Sequence, residues 1–204
     1  MANQIDSYSL PPAVRRVATA FRLGGWLSFW IQIVLAVVSA VVLLFAAGSF
    51  GASSAPVQTI PGVPPTQIPT GGFNPGTGAG LFLAVLGLLT LFVGAYWAYR
   101  YTRISRKLRD AENRPKRADV LRILYIGLGI NLLGMLLTIL GAQAIVGSLV
   151  AKSFSQGIGI FTGNFQRFIN PLDIFLVQAN TNTIMAHFIG LLSTLGILRT
   201  ADRQ

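Results

Sequence analysis

The sequence predicts an all-α integral membrane protein. It should have four transmembrane helices, both termini in the cytoplasm, and a long antiparallel hairpin of helices two and three with a basic cytoplasmic tip. Three observations carry this. Charged residues make up 11% of the 204 residues, against about 25% in soluble domains, and the mean hydropathy is +0.62. The missing charge is gathered into two uncharged runs, residues 23–99 and 123–151, which hold stretches longer than the roughly 20 residues a spanning helix needs. Between them, residues 100–122 hold nine of the sixteen Lys and Arg residues. Lys and Arg beside apolar segments resist translocation, so this block marks the cytoplasmic side.

From the N-terminus, residues 1–22 read as a cytoplasmic segment and residues 23–204 as a single four-helix membrane domain. Pro11 and Pro12 precede a short surface helix marked by Val14, Val17 and Phe21, interspersed with Arg15, Arg16 and Arg22. Arginines before an apolar run resemble a signal peptide, but the run at 25–50 is too long for one, and no twin-arginine export pattern follows Arg15 and Arg16. Helix one is expected at 25–50, with Trp26 and Trp30 at the cytoplasmic interface. Residues 51–80 hold six of the ten prolines, seven glycines and no charge, a density that blocks helix and discourages sheet. They read as an external tether, with a segment that orders on a partner as the sharper alternative.

Helix two is expected at about 79–113. Its apolar stripe, Trp97, Tyr101, Ile104, Leu108 and Ala111, carries the helix beyond the membrane. Helix three is expected at about 115–150, with Pro115 in its first turn. Gly80, Gly87 and Gly94 on helix two, and Gly127, Gly134 and Gly141 on helix three, recur every seven residues. Small residues on one face let backbones approach, which favours a tight seam over an inverted repeat. Residues 152–173, with Phe154, Phe161, Phe165 and Phe168, read as an interfacial segment. Helix four is expected at 174–198. This threading leaves fourteen basic residues inside and two, Lys152 and Arg167, outside.

Helix four is the polar one. Asp173, Asn180 and His187 stand seven apart with Thr183 between the last two, so they share a face; Gln178 and Asn182 share another. Polar groups inside a bilayer are expensive and point to function. One reading makes these six residues the lining of an ion or substrate path or a metal site. The other makes them interhelical hydrogen-bonding groups, meeting Gln32, Ser39, Asn131, Thr138 or Gln143. Asp173 and His187 lie about 21 Å apart on an ideal helix, too far to share one ion within a chain. A resident metal or cofactor is not expected. The basic residues Arg100, Arg103, Arg106, Lys107, Arg109, Arg114, Lys116 and Arg117 are candidates for docking lipid or a partner.

Several function classes fall away. The formal charge of +10 invites a nucleic-acid partner, but no base-stacking or base-reading module accompanies it. Without cysteine there are no disulfides or thiolate sites. No carboxylate pair, serine–histidine set or phosphate-binding glycine loop suggests an enzyme. The expected partners are membrane lipids, other membrane subunits or further copies of the chain, with iron ion as a candidate substrate.

The basic hairpin followed by NPLDIFLVQANTNTIMAHFIGLL resembles a cyanobacterial and plastid family of four-helix membrane proteins, known in plants as permease in chloroplasts or the small inner-envelope translocon component. The resemblance runs from about Val14 onward and is most specific in helix four. It implies two roles, iron transport across the plastid inner envelope and a part in protein import, in an oligomer or larger complex. With no plastid transit peptide before the basic segment, it implies a cyanobacterial member in the plasma or thylakoid membrane. The alternative reading is an accessory or assembly subunit of a photosynthetic membrane complex.

Overall fold

Heptad spacing of small and polar residues, repeated in every apolar segment, builds an antiparallel bundle. A computed structural model describes residues 11–51, 75–110, 114–162, 169 and 171–202. It contains four helices, α1 (Pro12–Gly51), α2 (Pro75–Arg109), α3 (Arg117–Thr162) and α4 (Pro171–Asp202), and no strand among the described residues. All four helices are long and apolar enough to cross a membrane. Each packs against its two neighbours in a ring, and α2 and α4 also approach across one diagonal.

Sequential helices run in opposite directions. On α2 and α3, Gly80 faces Gly141 and Ile145, Gly87 faces Thr138, and Gly94 faces Asn131. On α1 and α4, Gly24 meets Ser193 and Ile197, and Ser39 donates to the Ala179 carbonyl at 2.9 Å. The inward residues of α1 include Ala18, Phe21, Gly25, Ser28, Gln32, Ala36, Ser39 and Leu43, spaced by three or four. That period is the one that lets long helices stay in register while packing at shallow angles. Large apolar side chains point outward instead: Leu44 is 72% exposed and Phe45 71%. A water-soluble monomer would not leave so much contiguous apolar surface uncovered.

The described boundaries differ from the expected ones. The short surface helix and helix one are one continuous helix from Pro12. Ala18 and Phe21 bury against Tyr101, Ile104 and Leu108, so the stretch before the membrane is held by α2. Gly24 and Gly25, which look like a break, are points of close approach: a Cβ on Gly25 would stand 2.8 Å from Tyr101 Cβ and 2.9 Å from the Ala98 carbonyl. Helix α2 ends at Arg109, where Asp110 N–H bonds back to the Lys107 carbonyl at 3.2 Å. Helix α3 starts after Pro115, with the Lys116 carbonyl accepting from Val120 N–H at 3.2 Å. It continues past Val150 to Thr162, so the segment expected at the interface from 152 is helical there. Helix α4 begins at Pro171, whose fixed φ and missing N–H suit the first helical position. The proline-rich stretch at 52–74, Ala111, and Phe165 and Phe168 of the interfacial segment lie outside the described residues.

This arrangement gathers the start of α1, the end of α2, the start of α3 and the end of α4 at one end of the bundle. That end carries the basic residues. Exposed Trp26, Trp30, Tyr96, Tyr99 and Tyr125 ring it, as amphipathic rings do at a membrane–water interface.

Candidate functional site

Two apolar clusters fill the bundle. One, near the basic end, contains Phe21, Tyr101, Leu108, Leu124 and Ile197. The other, toward the far end, contains Leu43, Leu88, Leu91, Ile145 and Leu176. Between them lies a polar layer. Gln32 Nε2 of α1 reaches across the bundle to donate to Asn131 Oδ1 of α3 at 2.8 Å, and to the Ala186 carbonyl of α4 at 3.3 Å. Asn131 is oriented by its own Nδ2, which donates to the Gly127 carbonyl at 3.0 Å. His187 is fully buried, with Nε2 3.1 Å from the Gly87 carbonyl and Nδ1 3.3 Å from Asn131 Oδ1. Both neighbours are acceptors, and a neutral imidazole has a single N–H to donate. A neutral ring therefore donates to one of the two, the Gly87 carbonyl of α2 or Asn131 Oδ1 of α3.

Glycines make the layer possible. A Cβ on Gly134 would land on the His187 ring, and one on Gly190 would land on Gln32 Nε2 and Asn131 Oδ1. Gly134 of the heptad set thus leaves room for His187 of α4, and Gly190 on α4 leaves room for Gln32 of α1 and Asn131 of α3.

The six candidates of α4 divide into separate tasks. Asp173 is buried near the far end and paired with Lys152 of α3, Nζ to Oδ2 at 2.9 Å and to Oδ1 at 3.0 Å. Thr183 is buried and donates to the Ala179 carbonyl of its own helix at 2.9 Å. His187 belongs to the polar layer. Asn180 is buried, and neither its Oδ1 nor its Nδ2 has a hydrogen-bond partner; Gln32 Oε1 is also without one. Gln178 is exposed and donates to half-buried Asn182 Oδ1 at 3.1 Å, so this pair looks out of the bundle. Asp173, Asn180 and His187 share a face without forming one site. Among the described residues no three His, Asp or Glu side chains gather as a metal site would require.

The expected bonding partners also divide. Gln32, Ser39 and Asn131 bond to other helices. Thr138 bonds to the Gly134 carbonyl of its own helix at 2.7 Å, and Gln143 is exposed. Four further bonds between helices lie outside the expected set: Trp97 Nε1 donates to Ile123 O at 3.0 Å, Ser105 to Ala18 O at 2.7 Å and Ser193 to Gly24 O at 2.8 Å, and Tyr101 Oη meets Thr194 Oγ1 at 3.4 Å. Part of the signal lies in the spacing on α1, where Gln32 and Ser39 stand seven apart and mark its inner face.

Arg100, Arg103, Arg106, Lys107, Arg109, Arg114, Lys116 and Arg117 all lie at the basic end, exposed except for half-buried Arg100. The Arg100 guanidinium stacks over Trp97 at 4.4 Å and that of Arg103 over Tyr99 at 5.1 Å. Arg117 faces Asp202 at 3.8 Å, both well exposed, a geometry that contributes little to stability.

The fold and its interior define a class: a four-helix membrane protein whose centre is a packed polar layer. The chain belongs to the family described as protein of unknown function (DUF3611), whose model matches residues 11–202. It is 33% identical over 208 residues to "Protein TIC 21, chloroplastic" of Arabidopsis thaliana, covering 97% of this chain and 63% of the relative. The chain therefore spans a little under two thirds of that protein's length. No solved structure matches it.

Proposed function

We propose that this chain is a membrane-embedded subunit of protein-import-type machinery, acting as a helical scaffold inside an oligomer or larger complex, with its basic end in the cytoplasm. The observation that carries the proposal is the outward-facing amide pair Gln178 and Asn182. Ser39 lies level with Ala179, so Gln178 sits about 15 Å from the level of Trp30 at a rise of 1.5 Å per residue. That is near the middle of a hydrocarbon layer about 30 Å thick. Amides facing lipid at this depth favour a neighbouring helix that can bond them. The similarity to TIC 21 supports the same reading.

In a native gel after mild detergent extraction, Gln178→Leu with Asn182→Leu is expected to shift the chain from an assembly to a smaller species. Its unfolding in mixed micelles should stay unchanged. An unshifted assembly would overturn the proposal. The topology has its own test. Cysteines introduced at exposed Arg114 and at exposed Ser153 are expected to label from opposite sides of sealed vesicles, Arg114→Cys from the cytoplasmic side; labelling of both from one side refutes it.

Iron transport is the second reading. It is favoured by buried Asn180 and by Gln32 Oε1, polar atoms without partners inside the bundle. Passage of the ion would then need ligands from several copies. A purified monomer that moves iron into proteoliposomes would displace the scaffold reading.

A further inference from the structure

We propose that the crevice between α1 and α2 at the basic end binds an anionic membrane lipid, with its phosphate-bearing headgroup held by Arg22, Arg106 and Arg109 and its chains laid against Trp26 and Trp30. This does not depend on the import role.

The crevice is a cavity of about 480 Å³. Three arginines from two helices line it, with no carboxylate among the described residues that do. Bringing guanidiniums together without a counter-charge costs electrostatic energy, which a bound anion removes. Arginine's planar fork also suits phosphate oxygens better than a point charge does.

The order of residues along the crevice favours a lipid over a soluble anion or an acidic protein. Arg22, Trp26 and Trp30 stand four apart on one face of α1. Tyr99, Thr102, Arg106 and Arg109 follow at three- and four-residue steps on the facing side of α2. On both helices the cations occupy the outer turns and the aromatics the turns toward the membrane centre. Charge, then hydroxyl and ring, then hydrocarbon would meet in turn the phosphate, the glycerol esters and the acyl chains of a phospholipid. Above Trp30, the same face of α1 continues in Val34 and Val37, each about half exposed. A peptide partner would have no use for this gradient. The walls are fixed by packing: the Phe29 and Tyr99 rings stand 5.8 Å apart, Trp26 and Trp30 6.1 Å apart, and Ser105 at the base is tied to the Ala18 carbonyl.

A second basic cavity of about 520 Å³ lies on the other side of α2, lined by Arg100, Arg103 and Lys107. Its two arginines are already stacked on Trp97 and Tyr99, and its cations come from α2 alone. Of these two cavities, it is the α1–α2 crevice that joins cations of two helices beneath an aromatic wall.

The test uses the full chain in nanodiscs, with quenching of tryptophan fluorescence by chain-brominated phosphatidylglycerol compared with chain-brominated phosphatidylcholine. Phosphatidylglycerol is expected to quench at the lower mole fraction. In Arg22→Gln/Arg106→Gln/Arg109→Gln that preference should fall by about tenfold or more, given what each arginine close to an anionic headgroup contributes. The reference variant Arg114→Gln/Lys116→Gln/Arg117→Gln removes the same charge from the same end and should keep it. Equal loss in both variants would mean diffuse surface attraction and overturn the proposal. So would inorganic phosphate abolishing the preference at concentrations that leave the ionic strength effectively unchanged, which would mark a site for a free anion. All six residues are exposed, and unchanged circular dichroism and unfolding confirm that each variant is folded.

Discussion

His187→Ala is expected to lower the stability of the bundle by about 3 kcal/mol, as truncation of a large buried ring does. The ring has no exposed surface, and it meets the Gly87 carbonyl of α2 and Asn131 of α3. The packing of three helices is therefore lost together. Asn180, seven residues earlier on the same face and 2% exposed, should behave oppositely. Its amide has no partner, and a buried amide left unbonded costs roughly 1–3 kcal/mol. Leucine of similar volume removes that cost, so Asn180→Leu is expected to hold or raise stability. Unfolding of the purified chain in mixed micelles, followed by circular dichroism as the denaturing detergent fraction rises, measures both. An Asn180→Leu variant that falls as far as His187→Ala would mean that Asn180 bonds to something essential, and would turn attention to the transport reading.

The second large effect is at Gly25. Gly25→Leu is expected to destabilise by about 1–3 kcal/mol or more, the usual range for overpacking. The atoms in its way are Tyr101 Cβ and a main-chain carbonyl of α2; neither can rotate aside, so the helices must part. The loss should also open the crevice that holds the arginines. Gly129→Leu is the reference, because nothing lies within 4 Å of a Cβ there and the residue is exposed. Leucine has the higher helix propensity by somewhat under about 1 kcal/mol, so this variant should unfold no earlier than the parent. Equal losses at the two sites would show that helix α1 does not approach α2 as described.

Much of the fold is legible in the chain itself, because it rests on local quantities. Long uncharged runs give the four helices. The basic block at 100–122 gives the turn between α2 and α3. The seven-residue recurrence of Gly80, Gly87 and Gly94 and of Gly127, Gly134 and Gly141 gives the faces on which those helices meet. Helix ends are less legible. Gly24 and Gly25 resemble a break, and only the nearness of Ala98 and Tyr101 makes them a contact.

The candidate site divides along the same line. Spacing on α4 is a property of one helix, and it placed Asp173, Asn180, Thr183 and His187 on one face and Gln178 with Asn182 on another. What each residue meets is a property of the whole bundle. Lys152 comes from 21 residues away to neutralise Asp173, Gln32 crosses from α1 to reach Asn131, and Asn180 meets no partner at all. Arg22 joins Arg106 and Arg109 only because α1 and α2 run in opposite directions at close range. By itself the sequence determined which residues share a helical face, since 3.6 residues per turn sets that for each segment alone. The tertiary structure decided which polar groups are bonded, stranded or gathered into a crevice, because those outcomes depend on the clearance between helices, and that clearance is set by all four packing at once.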